Sequence, residues 1–300
     1  MFTVNQKGRC DMFQALSEIV EKCEADEKNF WQVILEDDMQ ERSVSAESSY
    51  ARMGDIWEAM YQAAKGYSGS MKSSSGLSGG DGEKMEQYLE SHDCLCGTFM
   101  GKVIAGALQM GESNACMKRI VAAPTAGSCG VMPAILVPYY DNEKTERGER
   151  LRARMIEAMY VAAGIGQVIA KRASISGAEG GCQAEIGSAS AMAAGALVYL
   201  RGGNEEQIIH AAAMALKNLL GLVCDPVAGL VEVPCVKRNV IGAVNAVSSA
   251  EMALAGIKSK VPPDQVIDAM KEVGDKMDMT LRETGLGGLA ATPYGKSIRL

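Results

Sequence analysis

Apolar side chains recur every three or four residues near the start of the chain, which is the spacing of one face of an α-helix. One such stripe covers residues 12–23, and a second covers residues 53–64. Gly66 follows the second stripe closely, and glycine often stands just beyond the end of a helix. The pattern predicts two amphipathic helices in this part of the chain.

The same spacing returns in the second half of the chain. Asn204 stands where it can cap a helix, Gln207 follows three residues later, and an apolar stripe continues to Val223. A further stripe covers residues 264–277 and follows two prolines, which suit the first turn of a helix. Two more helices are therefore predicted here.

Small residues dominate residues 185–200, where Ala, Gly and Ser would let neighbouring helices approach closely. This composition predicts a buried central helix. Apolar β-branched runs such as residues 119–121 are short, and they are too few to build a sheet. The fold class predicted is mainly α.

Composition and charge exclude several classes of function. The formal net charge is -7, and the chain lacks the stripe of Lys and Arg that a nucleic-acid groove requires. Residues 1–10 are polar and mixed in charge, unlike a secretory signal, and the apolar stretches are too short or too interrupted to span a bilayer. We expect a cytoplasmic protein that binds neither nucleic acid nor a membrane.

Nine cysteines are present, and inside a cell such thiols stay reduced and serve in cores, metal sites or catalysis. Cys182, Cys224 and Cys235 each stand near Gly or Pro, where the backbone can bend. Three thiolates on three loops could share one cluster and leave one iron without a protein thiolate, and three ordinary core cysteines are the alternative. The close pair of Cys94 and Cys96 lacks the second pair of a zinc ribbon.

Two glycine-rich segments interrupt the helical pattern. Residues 68–82 have the composition of a flexible linker. Residues 176–185 contain Cys182 and lie between apolar segments, a position in which loops often approach a ligand.

These segments belong to a set of motifs that carries a family resemblance. The motifs are KSSSGLSGGDG at 72–82, APTAGSCGVMPA at 123–134, SGAEGGCQAEIGSA at 176–189, CDPVAGLVEVPCVKRN at 224–239 and ETGLGGLA at 283–290. In this order they resemble the α chain of bacterial iron-sulfur L-serine dehydratases, which are L-serine ammonia-lyases. The motifs are specific and cover most of residues 70–295, whereas the first 65 residues contribute little.

The resemblance implies a lyase that converts L-serine to pyruvate and ammonia in amino-acid catabolism and gluconeogenesis. It implies a [4Fe-4S] cluster on Cys182, Cys224 and Cys235, acting as a Lewis acid in an all-helical catalytic domain. We place an N-terminal helical segment at 1–66 and the catalytic domain at 67–300, packed as one unit. The two ends of the chain look like the two-chain type, so a β subunit with a histidine-bearing loop and a hetero-oligomer are expected. Potassium is a second candidate cofactor.

Individual residues suggest roles in such a site. Glu179 and Glu185 flank Cys182 and are candidates for the general base or for binding the substrate ammonium, with helix capping as the alternative. His210 lies on a predicted helix among Ala and Met and is interpreted as a surface or core histidine. Cys129 is a candidate neighbour of the open iron.

The substrate carboxylate has two candidate binding segments. The turn after Pro124 offers Thr125, Gly127 and Ser128, whose amides and hydroxyls could form an anion nest, with a plain turn as the alternative. Lys72 and Ser73 in the earlier glycine-rich segment compete for this role.

Other functions remain open at this point. An iron-sulfur L-cysteine desulfidase would take the thiol of cysteine in place of the hydroxyl of serine, and a non-catalytic iron-sulfur sensor would need a fourth ligand. A pyridoxal-phosphate dehydratase leaves the three cysteine motifs unexplained. A dinucleotide site at residues 285–290 would follow a helix instead of a strand, so that glycine motif is weak.

Overall fold

A computed structural model of the chain describes residues 13–298, without the side chains of 144–147, and consists of helices joined by loops. In chain order the helices are α1 (Leu16–Asp26), α2 (Phe30–Arg42), α3 (Ala46–Lys65), α4 (Asp81–Ser91), α5 (Gly97–Ala115), α6 (Val131–Arg172), α7 (Gly177–Gly180), α8 (Ser188–Leu200), α9 (Glu205–Lys217), α10 (Cys235–Leu254), α11 (Pro263–Lys276) and α12 (Pro293–Ser297). A π-helical turn, Gln183–Gly187, leads directly into α8. Short 3-10 turns occur at Val227–Gly229, Met279–Leu281 and Gly288–Ala291.

Within residues 13–298 no strand forms, and an isolated bridge joins Cys224 to Arg282. The prediction of a mainly α fold is therefore confirmed. The run at 119–121 lies in irregular backbone between α5 and α6. No helix in the described part of the chain has the length and apolar character needed to cross a membrane.

The N-terminal stripes form helices as predicted, with different ends. The stripe at 12–23 becomes α1, which buries Leu16 and Cys23, although residue 12 lies outside the described residues. The stripe at 53–64 lies in α3, which begins earlier than the stripe. The Ser45 hydroxyl accepts a hydrogen bond from the Ser48 amide at 3.2 Å and so caps the start of this helix. Gly66 follows its last residue, as predicted.

The stripe after Asn204 forms α9 with the predicted cap, but it does not reach Val223. Asn204 accepts a hydrogen bond from the Gln207 amide, and Gln207 reaches back to the Asn204 amide. The helix ends at Lys217, and Gly221 then turns the chain with a φ of +85°. Val223 thus lies in a loop that leads into Cys224. The helix predicted at 264–277 forms as α11, Pro263–Lys276.

The predicted central helix is α8, which packs against α6, α9 and α10 and is buried along almost its whole length. Its small residues are required by this packing. A Cβ atom at Gly195 would lie 2.2 Å from the Cδ1 atom of Ile165 on α6. Cys182 directly precedes the π-turn that leads into α8, and Cys235 is the first residue of α10, so the central packing brings two of the candidate ligand segments together.

Candidate active site

The three cysteines singled out in the sequence meet at one place in the fold. Cys182 precedes the π-turn before α8, Cys224 lies in the loop after α9, and Cys235 is the first residue of α10. All three are buried, with exposures of 2%, 2% and 7%. The sulfurs of Cys182 and Cys224 and a carboxylate oxygen of Glu185 lie within 4.8 Å of one another. Cys235 is near enough for charge on Cys182 to raise the pKa of its thiol.

Two hydrogen bonds hold the loops of Cys182 and Cys224 together. The Gln183 amide donates to the Leu222 carbonyl at 2.9 Å, and the Gly221 amide donates to the Gln183 side-chain oxygen at 2.9 Å. Gly181, just before Cys182, has a φ of +74°, and a Cβ atom there would lie 2.9 Å from the Leu222 carbonyl oxygen. Glycine at this position therefore permits the close approach of the two loops.

The backbone at Cys224 pairs with the segment that begins the ETGLGGLA motif. The Cys224 amide donates to the Leu281 carbonyl, and the Glu283 amide donates to the Cys224 carbonyl, both at 2.8 Å. Asp225 then accepts a hydrogen bond from the Leu289 amide at 2.7 Å. The motif therefore packs along the loop that contains Cys224, and these contacts give it a structural role instead of a role in dinucleotide binding.

A cation whose side chain is 13% exposed lies beside the cysteines. The Arg238 guanidinium lies 3.5 Å from the Cys182 sulfur, donates to the Val223 carbonyl at 2.6 Å and pairs with Asp225 at 2.8 Å. A hydrogen bond from Cys224 lowers the pKa of Cys182, and the charge of Arg238 lowers it further. The same hydrogen bond and burial raise the pKa of Cys224. Burial also raises the pKa of Cys235, to about 12. The site therefore favours the thiolate at Cys182.

Glu185 faces the predicted carboxylate-binding turn. The Thr125 hydroxyl donates to the Glu185 carboxylate at 2.7 Å, and the Ser128 and Thr125 hydroxyls lie 3.1 Å apart. A Cβ atom at Gly127 would lie 3.1 Å from the same carboxylate oxygen. Burial raises the pKa of Glu185, the Thr125 hydrogen bond opposes this shift, and the charge of Glu283 adds to it.

Asn239 joins this turn to the start of α10. Its amide nitrogen donates to the carbonyls of Gly127 and Cys235, each at 2.9 Å, and its oxygen accepts from the Gly130 amide at 2.8 Å. The side chain is 1% exposed. The sequence reasoning missed this residue and Arg238. The available signal was that both lie one helical turn beyond Cys235, on the face that carries its sulfur.

The glycine-rich segment at 68–82 packs against the same site instead of behaving as a free linker. The Ser73 and Ser75 hydroxyls donate to the buried Glu232 carboxylate, the first at 2.6 Å and the second at 2.8 Å. Glu232 lies between Cys224 and Cys235 along the chain. Lys72 is exposed and donates to the Gly79 carbonyl within the segment itself. Ser73 is therefore hydrogen-bonded to the loop that joins Cys224 to Cys235.

The remaining candidates lie in different surroundings. Glu179 is exposed and accepts a hydrogen bond from the Ser174 hydroxyl at 2.6 Å. The Cys129 thiol is 1% exposed and donates to the Met110 carbonyl at 3.7 Å, and burial raises its pKa to about 12. His210 lies on α9 with its Nε2 atom 3.5 Å from a Glu206 oxygen.

Comparison with known proteins gives consistent matches. The family model described as "Serine dehydratase alpha chain" matches residues 25–290. The chain is 46% identical to "Probable L-serine dehydratase, alpha chain" of Bacillus subtilis over 96% of its own length and 94% of that protein. It is 43% identical to "L-serine dehydratase, alpha chain" of Peptoniphilus asaccharolyticus over 96% of its own length and 97% of that protein. "L-serine dehydratase 2" of Escherichia coli is 48% identical over 61% of this chain and 40% of that protein.

Proposed function

Because the chain belongs to the family of serine dehydratase alpha chains, we propose that it is a lyase that converts L-serine to pyruvate and ammonia with an iron-sulfur cluster on Cys182, Cys224 and Cys235. The observation that carries the cluster assignment concerns three buried thiols from separate loops. The Cys182 and Cys224 sulfurs lie within 4.8 Å of each other, and Cys235 is near enough to interact with both through charge. We also propose that it acts in the cytoplasm, in amino-acid catabolism and gluconeogenesis.

The residues present fit such a group. Thiolates are the ligands of iron-sulfur clusters, and three of them would leave one iron of a [4Fe-4S] cluster without a protein sulfur. Arg238 offsets part of the negative charge that thiolates bring into a buried site. When bound, the cluster would supply a Lewis acid for the hydroxyl and carboxylate of serine.

The chemistry leaves two tasks to protein groups. The Cα proton must be accepted, and the departing hydroxide must gain a proton to leave as water. The resulting aminoacrylate rearranges to an imine, and water hydrolyses the imine to pyruvate and ammonia. Both the serine ammonium and the Cα proton require a negatively charged or basic neighbour.

Of the two predicted acidic residues, the contacts favour Glu185 over Glu179. The Glu185 carboxylate lies beside the ligand sulfurs and the Thr125 hydroxyl, whereas Glu179 is exposed and bonded to Ser174. A Cβ atom at Gly177 would lie within 3.2 Å of carboxylate oxygens of both Glu185 and Glu283, so two acidic groups face this position. We assign Glu185 to the substrate ammonium.

A matched pair of variants tests this assignment. Glu185→Gln keeps the shape and removes the charge, so we expect the KM for serine to rise. Glu179→Gln makes the same change at the exposed carboxylate and should leave the KM unchanged. Equal effects of the two substitutions would contradict the assignment.

The substrate carboxylate is assigned to the turn that contains Thr125, Gly127 and Ser128. The Ser128 hydroxyl orders Thr125, and the turn lies directly against Glu185. We expect Ser128→Ala to raise the KM more than it lowers the kcat, because binding common to the ground state and transition state is lost. An unchanged KM would move the assignment to Lys72 and Ser73.

Iron and sulfide analysis of anaerobically purified protein, together with a pyruvate assay, tests the function itself. Replacing Cys182, Cys224 or Cys235 with Ala should remove both the cluster absorption and the turnover. Cys23→Ala is the matched control because Cys23 is equally buried, at 4% exposure, but lies in α1. A cluster retained in any of the three ligand variants would contradict the assignment. Sulfide release from L-cysteine at a higher rate than pyruvate formation from serine would favour the desulfidase.

The similar proteins named as alpha chains suggest a second chain. We propose a β subunit that supplies a histidine as proton acceptor, with regulation by potassium or serine in that subunit. The α chain alone should then carry a cluster yet form little pyruvate, and activity should appear when the β subunit is added. Full turnover by the α chain alone would instead identify Glu185 as the proton acceptor.

A further inference from the structure

A second pair of cysteines lies outside the proposed active site, at the junction of α4 and α5. The sulfurs of Cys94 and Cys96 are 3.3 Å apart. Cys96 is exposed, Cys94 is half-buried, and Leu95 between them is fully exposed. The pair therefore stands at the tip of a turn where a small molecule can reach it.

The turn itself fixes the two sulfurs beside each other. The Gly97 amide donates to the Cys94 carbonyl at 2.8 Å, and Gly97 has a φ of +77°, which glycine adopts without strain. Cys96 is the N-cap residue of α5. A Cβ atom at Gly101 would lie 3.3 Å from the Cys94 sulfur, so the glycine leaves room for this thiol against the helix.

We propose that Cys94 and Cys96 form a redox-active dithiol whose reaction partners are low-molecular-weight disulfides. The thiolate of one cysteine attacks the small disulfide, forms a mixed disulfide and releases one small thiol. The second cysteine then attacks the mixed disulfide and releases the other small thiol. The protein loses two electrons and two protons, and the small disulfide is reduced to two thiols.

The geometry favours the second step over a stable mixed disulfide. A thiol held 3.3 Å from its neighbour in a hydrogen-bonded turn acts at high effective concentration, because little chain entropy has to be lost to form the bond. The hydrogen bond to Cys94 raises the pKa of Cys96, consistent with a thiol that keeps its proton while its neighbour reacts. This inference does not depend on the proposed serine chemistry.

The experiment uses the full anaerobic protein equilibrated with mixtures of oxidised and reduced glutathione, quenched with acid and alkylated. Trypsin releases residues 85–102, a peptide that contains these two cysteines and no others. We expect an unalkylated form of this peptide, lighter by two hydrogens than the dithiol, whose fraction rises with the proportion of oxidised glutathione. Cys94→Ser and Cys96→Ser should each give one glutathione adduct instead.

Cys116→Ser is the control, because Cys116 is half-buried at the other end of α5 and should not change the titration. Two glutathione adducts on the wild-type peptide would contradict the inference. An alkylated dithiol at every glutathione ratio would also contradict it. Loss of the cluster or of serine turnover leaves this readout unaffected, because the peptide is mapped separately from the ligand cysteines.

Discussion

The side chain of Asn239 allows a quantitative test of how the site is held together. Asn239→Leu keeps a side chain of similar size, so the substitution creates little cavity. It removes the partner of the Gly130 amide and one partner each of the Gly127 and Cys235 carbonyls. An unmade hydrogen bond of a buried group costs about 1–3 kcal/mol, and the Cys235 carbonyl keeps its helical bond. We therefore expect a loss of about 3 kcal/mol.

The same substitution should also affect activity, since Asn239 fixes the predicted carboxylate-binding turn relative to a proposed cluster ligand. Unfolding monitored by circular dichroism should show a midpoint lower by about 6 °C, at ~2 °C per kcal/mol for a chain of this size. We expect kcat/KM for serine to fall by at least tenfold, which corresponds to about 1.4 kcal/mol. Most of this change should come from a higher KM.

Asn245 provides the matched control, because it lies on the same helix and bonds to Ser190, Ala215 and Asn218. These partners are not in the proposed substrate-binding turn. Asn245→Leu should lower stability and leave the KM for serine unchanged. A stable Asn239→Leu protein with wild-type KM would refute the positioning role. Equal changes in KM for the two variants would show that the effect is general destabilisation.

Three other substitutions test separate parts of the structure. Glu232→Gln removes the charge that holds Ser73, so limited trypsin digestion should cleave the protein faster at Lys72. Arg238→Met removes the cation beside the proposed ligand sulfurs, so a chelator should bleach the absorption of the proposed cluster faster than in the wild-type protein. Burial lowers the pKa of His210 below its unfolded value of about 6.5, so its contribution to stability is present above that pH and lost as the pH falls. His210→Gln should therefore reduce the drop in the urea midpoint between about pH 8 and pH 5.5, with turnover at pH 8 unchanged.

Local sequence signals were sufficient for the helices that were predicted, because each of these depends mainly on residues within a few positions. The capping pair of Asn204 and Gln207 forms as predicted, and the apolar stripes give the buried faces. The predicted end of α9 was wrong because of a contact with a distant part of the chain. Periodicity continues to Val223, but the Cys224 backbone is bonded to the segment at Leu281. The chain must leave the helix earlier to reach that partner.

The glycine-rich segment shows the same limit more strongly. Its composition is that of a linker, and composition says nothing about a partner 159 residues away along the chain. The partner is Glu232, whose carboxylate accepts hydrogen bonds from the Ser73 and Ser75 hydroxyls and is buried together with Ser73. Only the family resemblance indicated that the segment has a defined place. Burying an ionised carboxylate without such partners would be costly, so the serines and Glu232 require one another.

The start of α10 combines several tasks within one turn of helix. Cys235, Arg238 and Asn239 have the spacing i, i+3 and i+4, which places them on one face. The sulfur, the guanidinium beside Cys182 and the amide that holds the predicted substrate-binding turn therefore move as one rigid unit. A rotation of this helix would displace a proposed ligand, its compensating charge and the predicted carboxylate site together. We infer that the conformation of the loop from Cys224 to Cys235 sets both the geometry of the proposed cluster site and the position of the predicted substrate-binding turn.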